Sequence, residues 1–166
     1  MKTTALFKLA PLLLLGIVVL PRGPRSLPSQ LAAATPPDAI SPADSVIVDW
    51  FMLGDLNYET AAVGEVLRPY VNKPVMIPGF IVPLEDFAAE ASEFLLVPYV
   101  GACVHTPAPP PNQLVHVRMK GDTKVSVPLW TPIWLHGELK VETTTSQYGP
   151  SGFFVPGDSV TRYEAW

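Results

Sequence analysis

Downstream of residue 74 the apolar positions recur with the two-residue period of strands. Over residues 113–119, Val115, Val117 and Met119 point one way and Leu114, His116 and Arg118 the other, because successive side chains on a strand alternate between its faces. Over residues 133–141 the set Ile133, Leu135, Leu139 and Val141 opposes Trp134, His136, Glu138 and Lys140. Runs of β-branched and aromatic residues bounded by Gly and Pro predict five strands, at residues 75–84, 93–105, 113–120, 132–143 and 152–163. Pro78, Pro83 and Pro98 lie within or at the ends of the first two. Having no N–H to donate, they imply edges, bulges or sharp bends of the kind that close a small barrel. The expected fold is mainly β: a small five-stranded, partly open barrel of the oligonucleotide/oligosaccharide-binding type (OB-like), with a small β-sandwich as the rival.

Upstream, the texture differs. Between residues 46 and 70, Asp49, Asp55, Glu59 and Glu65 interleave with Trp50, Phe51, Leu53, Leu56, Val63 and Leu67, which predicts a short helical N-terminal segment or turns. Asp49 and Asp55 are candidate N-caps, and Gly54 and Gly64 interrupt any long helix. Residues 35–45, with Pro36, Pro37 and Pro42, read as an extended linker ahead of a single domain at 46–166. Residues 1–34 concern address: Lys2 and Lys8 precede an apolar run at 9–20 broken by Pro11 and Gly16, the layout of a secretory signal. The run is shorter than the roughly 20 residues that span a bilayer, so an uncleaved inner-membrane anchor is the alternative. No cysteine follows it directly, which excludes lipid attachment of the lipoprotein kind. The expected location is the periplasm, with membrane contact only through this segment.

Composition narrows the picture. The 166 residues are 48% apolar and 16% charged, with 20 prolines, which suits one globular domain and excludes coiled coil, collagen and wholesale disorder. A single cysteine rules out both an intrachain disulfide and a C-x-x-C redox pair. Removing residues 1–34 takes away Lys2, Lys8, Arg22 and Arg25 but no acid, so 11 basic against 15 acidic residues become 7 against 15, a net charge of −8. The seven remaining cations are scattered. Nucleic acid is therefore a poor partner, and electrostatics favours cationic ligands.

Chemistry concentrates in residues 93–113, E-F-L-L-V-P-Y-V-G-A-C-V-H-T-P-A-P-P-P-N-Q. On a strand, Cys103 and His105 would face the same side, so that thiolate and imidazole converge on one point as a metal ion requires. Two ligands are too few, and His116, His136 or carboxylates such as Glu138 and Glu85 would have to complete the set. A soft thiolate with imidazole selects zinc or copper over magnesium or calcium. The same pair also suits an activated nucleophile, but no oxyanion or orienting-acid motif accompanies it, so an enzyme is the weaker reading. The bland alternative is a cysteine that merely packs. The stiff stretch Pro107, Pro109, Pro110, Pro111, Asn112 and Gln113 is a candidate partner-binding loop. Trp130, Trp134, Trp166, Tyr148, Phe153 and Phe154 are read as core and barrel-end packing rather than a ligand platform.

The run V-M-I-P-G-F-I-V-P-L-E at 75–85, then E-F-L-L-V-P-Y at 93–99, G-A-C-V-H-T-P at 101–107, P-P-P-N-Q at 109–113 and P-I-W-L-H-G-E-L-K-V at 132–141 resembles the exported bacterial family termed domain of unknown function 3299. The likeness runs from about Trp50 to Val141, and Ala108 stands where the family pattern continues the prolines. It implies a periplasmic or membrane-anchored accessory protein, working beside a transporter, with Cys103 and His105 as motif residues. His116 and His136 rest on strand register alone. Taken together, the expectation is an exported envelope accessory or binding protein that binds or transfers zinc or copper. A non-catalytic interaction module of an envelope transport complex, with Cys103 structural, is the first alternative, and a thiol-dependent enzyme the second.

Overall fold

The prolines and glycines that punctuate the apolar runs set where the backbone bends, and the strands lie between them. The structure, a computed structural model, describes residues 45–102 and 107–164. The strands are β1 (Val46–Ile47), β2 (Leu56–Asn57), β3 (Ala62–Val63), β4 (Pro74–Pro83), β5 (Glu90–Ala91), β6 (Glu93–Val97), β7 (Val115–Met119), β8 (Val125–Ser126), β9 (Ile133–Glu138), β10 (Lys140–Ser146) and β11 (Gly149–Arg162). Among the described residues helix is sparse: α1 (Trp50–Leu53) and three single 3-10 turns.

The protein is mainly β, and five strands form a closed circuit of hydrogen bonds. β4 pairs antiparallel with β6, β6 antiparallel with β7, β7 parallel with β11, β11 antiparallel with β9, and β9 antiparallel with β4 again. These are the five predicted strands. Two differ in extent: the strand expected at 93–105 ends at Val97, and the run expected at 132–143 is divided at Leu139, where the backbone N–H donates to the Lys73 carbonyl and the carbonyl accepts from the Asn72 N–H. β10 continues beyond the break along β11.

Two glycines let the strands approach at the bends. A Cβ on Gly79, where β4 passes from β9 to β6, would lie 2.8 Å from both the Leu96 Cγ and the Val97 carbonyl oxygen. On Gly137 it would lie 2.5 Å from Val155 Cγ1 and 2.8 Å from the Pro156 oxygen. Any larger residue would push the strands apart.

Alternation sorts the side chains into two clusters. The inner one takes Val75, Ile77 and Ile81 from β4, Phe94 and Leu96 from β6, Val115, Val117 and Met119 from β7, Ile133 and Leu135 from β9, and Phe153 and Val155 from β11. The complementary positions Val82, Leu95, Val97 and Leu114 build a smaller outer cluster with Ala102, against which Phe80, Leu84 and Tyr148 pack.

The N-terminal segment is latched onto this frame by its polar residues. Asp49 caps α1 by accepting the Met52 N–H at 2.8 Å, as its position ahead of the apolar turn suggests. The other candidate cap, Asp55, accepts instead from the backbone N–H groups of Val66 and Leu67. Val48, Leu53, Leu56 and Leu67 then join the inner cluster, and the Trp50 indole N–H donates to the Pro78 carbonyl at 2.6 Å.

Candidate functional site

The strand expected to carry Cys103 and His105 stops short of them. β6 ends at Val97 rather than running to residue 105. Pro98 follows with no N–H to continue the ladder. The chain then turns through Gly101, at φ 81°, and the Ala102 N–H donates to the Tyr99 carbonyl at 3.5 Å. An uninterrupted strand therefore does not set the direction of the pair. Cys103 and His105 themselves lie outside the described residues.

The approach to Cys103 borders a cleft. Gly101 and Ala102 line a cavity of about 290 Å³ on the outer side of β4 and β6. Phe80, Val82 and Val97 supply apolar wall from these strands, and Tyr148 adds to it from the turn between β10 and β11. Leu129 and Trp130 contribute from the loop that follows β8, and Glu85, Asp86 and Phe87 from the loop that follows β4. The apolar walls come from the outward register of β4 and β6. The acidic and most exposed groups come from loops, which carry no core-packing constraint. Of the carboxylates considered as auxiliary ligands, Glu85 lines this cleft. Glu138, at the end of β9, is instead 3.8 Å from the Lys140 ammonium.

The two remaining histidines are buried and separate. His116 is held at both ring nitrogens, Nε2 2.8 Å from Glu93 Oε1 and Nδ1 2.8 Å from Thr144 Oγ1. Its ring meets Phe154 edge-on at 5.8 Å. Arg118 donates to the same Glu93 oxygen at 3.0 Å, and this bond, helped by His116, holds the Glu93 carboxyl below its ordinary pKa against the opposing effect of burial. His136 has Nε2 3.0 Å from Thr161 Oγ1, while its buried Nδ1 has no partner. Burial lowers its pKa from the usual 6.5, with Asp158 pulling weakly the other way. Along β11, His116 sits opposite Phe154 and His136 opposite Ser159. At about 3.3 Å per residue that separation is on the order of 15 Å, so one ion cannot bridge them. Among the described residues no three His, Cys, Asp or Glu side chains converge on a metal position.

The proline stretch is partly consumed inside the fold. Pro109 is buried, Pro107 and Pro110 are exposed, and Pro111 is half-buried. Asn112 donates to the carbonyls of Gly54 and Leu56, and Gln113 to that of Trp50 at 2.9 Å. Both side-chain amides thus fasten the N-terminal segment to the start of β7.

The expectation that the aromatic residues pack the core holds for Phe153, which is wholly buried, and in part for Trp134, which stacks on Tyr163 at 5.1 Å. It fails for Trp130, which is 65% exposed at the cleft. Trp166 lies outside the described residues. Sequence reasoning missed Phe80, Asp86, Phe87 and Leu129. The available signal was a large apolar residue in each of two polar, proline- or glycine-flanked loops, D-F-A at 86–88 and P-L-W at 128–130.

Comparison with known proteins matches residues 54–162, well over half of the chain, to the family described as "Protein of unknown function (DUF3299)". The match extends past Val141 to the last residue of β11. The chain is also similar to the crystal structure of a DUF3299 family protein from Pseudomonas aeruginosa PAO1, at 30% identity and a TM-score of 0.57, covering 74% of this chain and 98% of that one. No curated protein matches it.

Proposed function

This chain belongs to the DUF3299 family, and we propose that it is an exported accessory protein of the bacterial envelope that binds a transition metal, zinc or copper, through Cys103 and His105. One observation carries the reading: Glu85 lines the same cleft as Gly101 and Ala102, the two residues that lead into Cys103. A thiolate, an imidazole and a carboxylate form a three-ligand set to which water adds a fourth, and that donor mixture suits zinc. Ala102 before that segment and Pro109 beyond it are buried. His116 is left out of the set because both its nitrogens are engaged, and His136 because it faces Thr161 elsewhere on the sheet.

The circuit of five hydrogen-bonded strands supports a finer reading as a small, partly open OB-like barrel. The N-terminal apolar run supports export, and in the periplasm such a protein would deliver or hold metal for an envelope transporter.

Calorimetric titration of the metal-stripped full chain with zinc and with copper tests the central claim. The expected result is one ion per chain, with affinity reduced at least tenfold by Cys103→Ser and by His105→Ala, and less by Glu85→Gln. Binding unchanged in both the cysteine and histidine variants would remove the site.

A further inference from the structure

We propose that the cleft beside β4 and β6 is a recognition site for a small organic cation, a quaternary ammonium group held among aromatic side chains, in a cleft that shares Glu85 with the metal set proposed above. Its walls are unusual for a soluble surface. Phe80 and Tyr148 are half-buried in it, while Trp130 stands 65% and Phe87 102% exposed. An aromatic ring left wholly in water gives up the burial that normally offsets its presence. Phe87 also has φ 59°, a left-handed conformation that bulky side chains rarely adopt. The backbone therefore holds that ring outward at a conformational cost that core packing does not explain, the pattern found at ligand clamps.

Charge supplies the second half. Glu85 and Asp86 line the same cavity directly before Phe87, both are exposed, and neither is within ion-pair distance of a cation among the described residues. A cation brought against the faces of the lining rings would be attracted by their quadrupoles, and the two carboxylates add negative field at the same cavity. A neutral apolar occupant would desolvate those carboxylates without return, and an anion would be repelled. A hard inorganic cation would gain from the oxygens but nothing from the aromatic walls. An organic ammonium whose methyl groups contact the rings satisfies both. The volume of about 290 Å³ sits at the small end of ligand clefts, which fits a free small molecule. The charge of −8 left after residue 34 draws such a ligand in.

The experiment compares choline with its uncharged carbon analogue 3,3-dimethylbutan-1-ol, titrated into the full chain in the presence of a chelator, with tryptophan fluorescence and calorimetry as readouts. Choline is expected to bind saturably, at least tenfold more tightly than the analogue. Affinity should fall at least fivefold in Phe87→Ala, in Trp130→Ala and in Asp86→Asn, a carboxylate outside the proposed metal set. Cys103→Ser and His105→Ala should leave choline binding unchanged, so that loss of metal binding and loss of choline binding are read on separate variants. Phe87 is fully exposed, and an unchanged melting temperature for Phe87→Ala confirms that its effect is on the ligand. Equal binding of the neutral analogue, binding undiminished by Asp86→Asn, or no saturable binding of choline would each overturn the proposal.

Discussion

Phe94 and Phe153 on the inner face of the five-strand circuit are wholly buried, whereas Phe80, one position out of that register on β4, is half covered and Phe87, four residues past the end of β4, stands in solvent. The same residue type thus serves two ends within a few residues of sequence. Inside, every position is enclosed by strands on all sides and contributes to folding. Outside, Val82 and Val97 of the smaller buried cluster also supply cleft wall, and two loops together with the β10–β11 turn carry the remaining aromatic and acidic groups around it. The contrast predicts that stability and binding separate cleanly between the two faces.

The largest expected effect lies in the core. Phe94→Ala should lose about 3–5 kcal/mol in urea unfolding, the usual cost of emptying a fully packed aromatic site, while Phe87→Ala should stay within about 0.5 kcal/mol of the parent, as exposed positions do. A comparable loss at Phe87 would break the division. Next comes Gly137→Ala, whose new methyl would meet Val155 and the Pro156 carbonyl. It should cost about 1–3 kcal/mol through overpacking, visible as a lower denaturation midpoint at unchanged slope.

Asn112→Ala removes the donor to Gly54 and Leu56 and should cost about 1–2 kcal/mol. Faster amide exchange around residues 50–57, with the sheet unaffected, would identify it as a latch rather than a surface contact. Protection unchanged there would return the loop to partner binding.

The smallest effect concerns His136. Its folded-state pKa is depressed by burial below 6.5, so as the pH falls below about 6.5 the unfolded chain takes up a proton that the folded one refuses. Stability is therefore full above that pH and declines as the solution is acidified toward the folded pKa. Glu93, also depressed, acts in a lower window, below its ordinary 4.5. His136→Leu removes both the titration and the unpartnered Nδ1, so it should flatten the profile between pH 7 and 5 while changing stability at pH 7.5 by about 1 kcal/mol or less. A profile unaltered by the substitution would assign the acid sensitivity elsewhere.

Much of the frame was legible in advance because alternation is a local property. Val115, Val117 and Met119 could be sorted from His116 and Arg118 without knowing any partner strand. Leu139 shows where this ends: its apolar character suited a continuous strand, but its backbone pairs with Asn72 and Lys73, residues nearly seventy positions away. The two histidines show it again. Their outward register was correct, yet only the fold gave Glu93 and Thr144 to one and left a nitrogen of the other without a partner.

The sequence by itself determined that five strands form, which side of two of them faces inward, and that Asp49 caps the first helical turn, because those outcomes depend on side-chain period and backbone chemistry within a few residues. Only the tertiary structure decided that the strands close into a circuit, that Asn112 and Gln113 are spent on the N-terminal segment, and that Glu85, Phe87, Trp130 and Tyr148 share one cleft. Those meetings join loops far apart in the chain. Their free energy comes from long-range closure and packing, which no local pattern encodes.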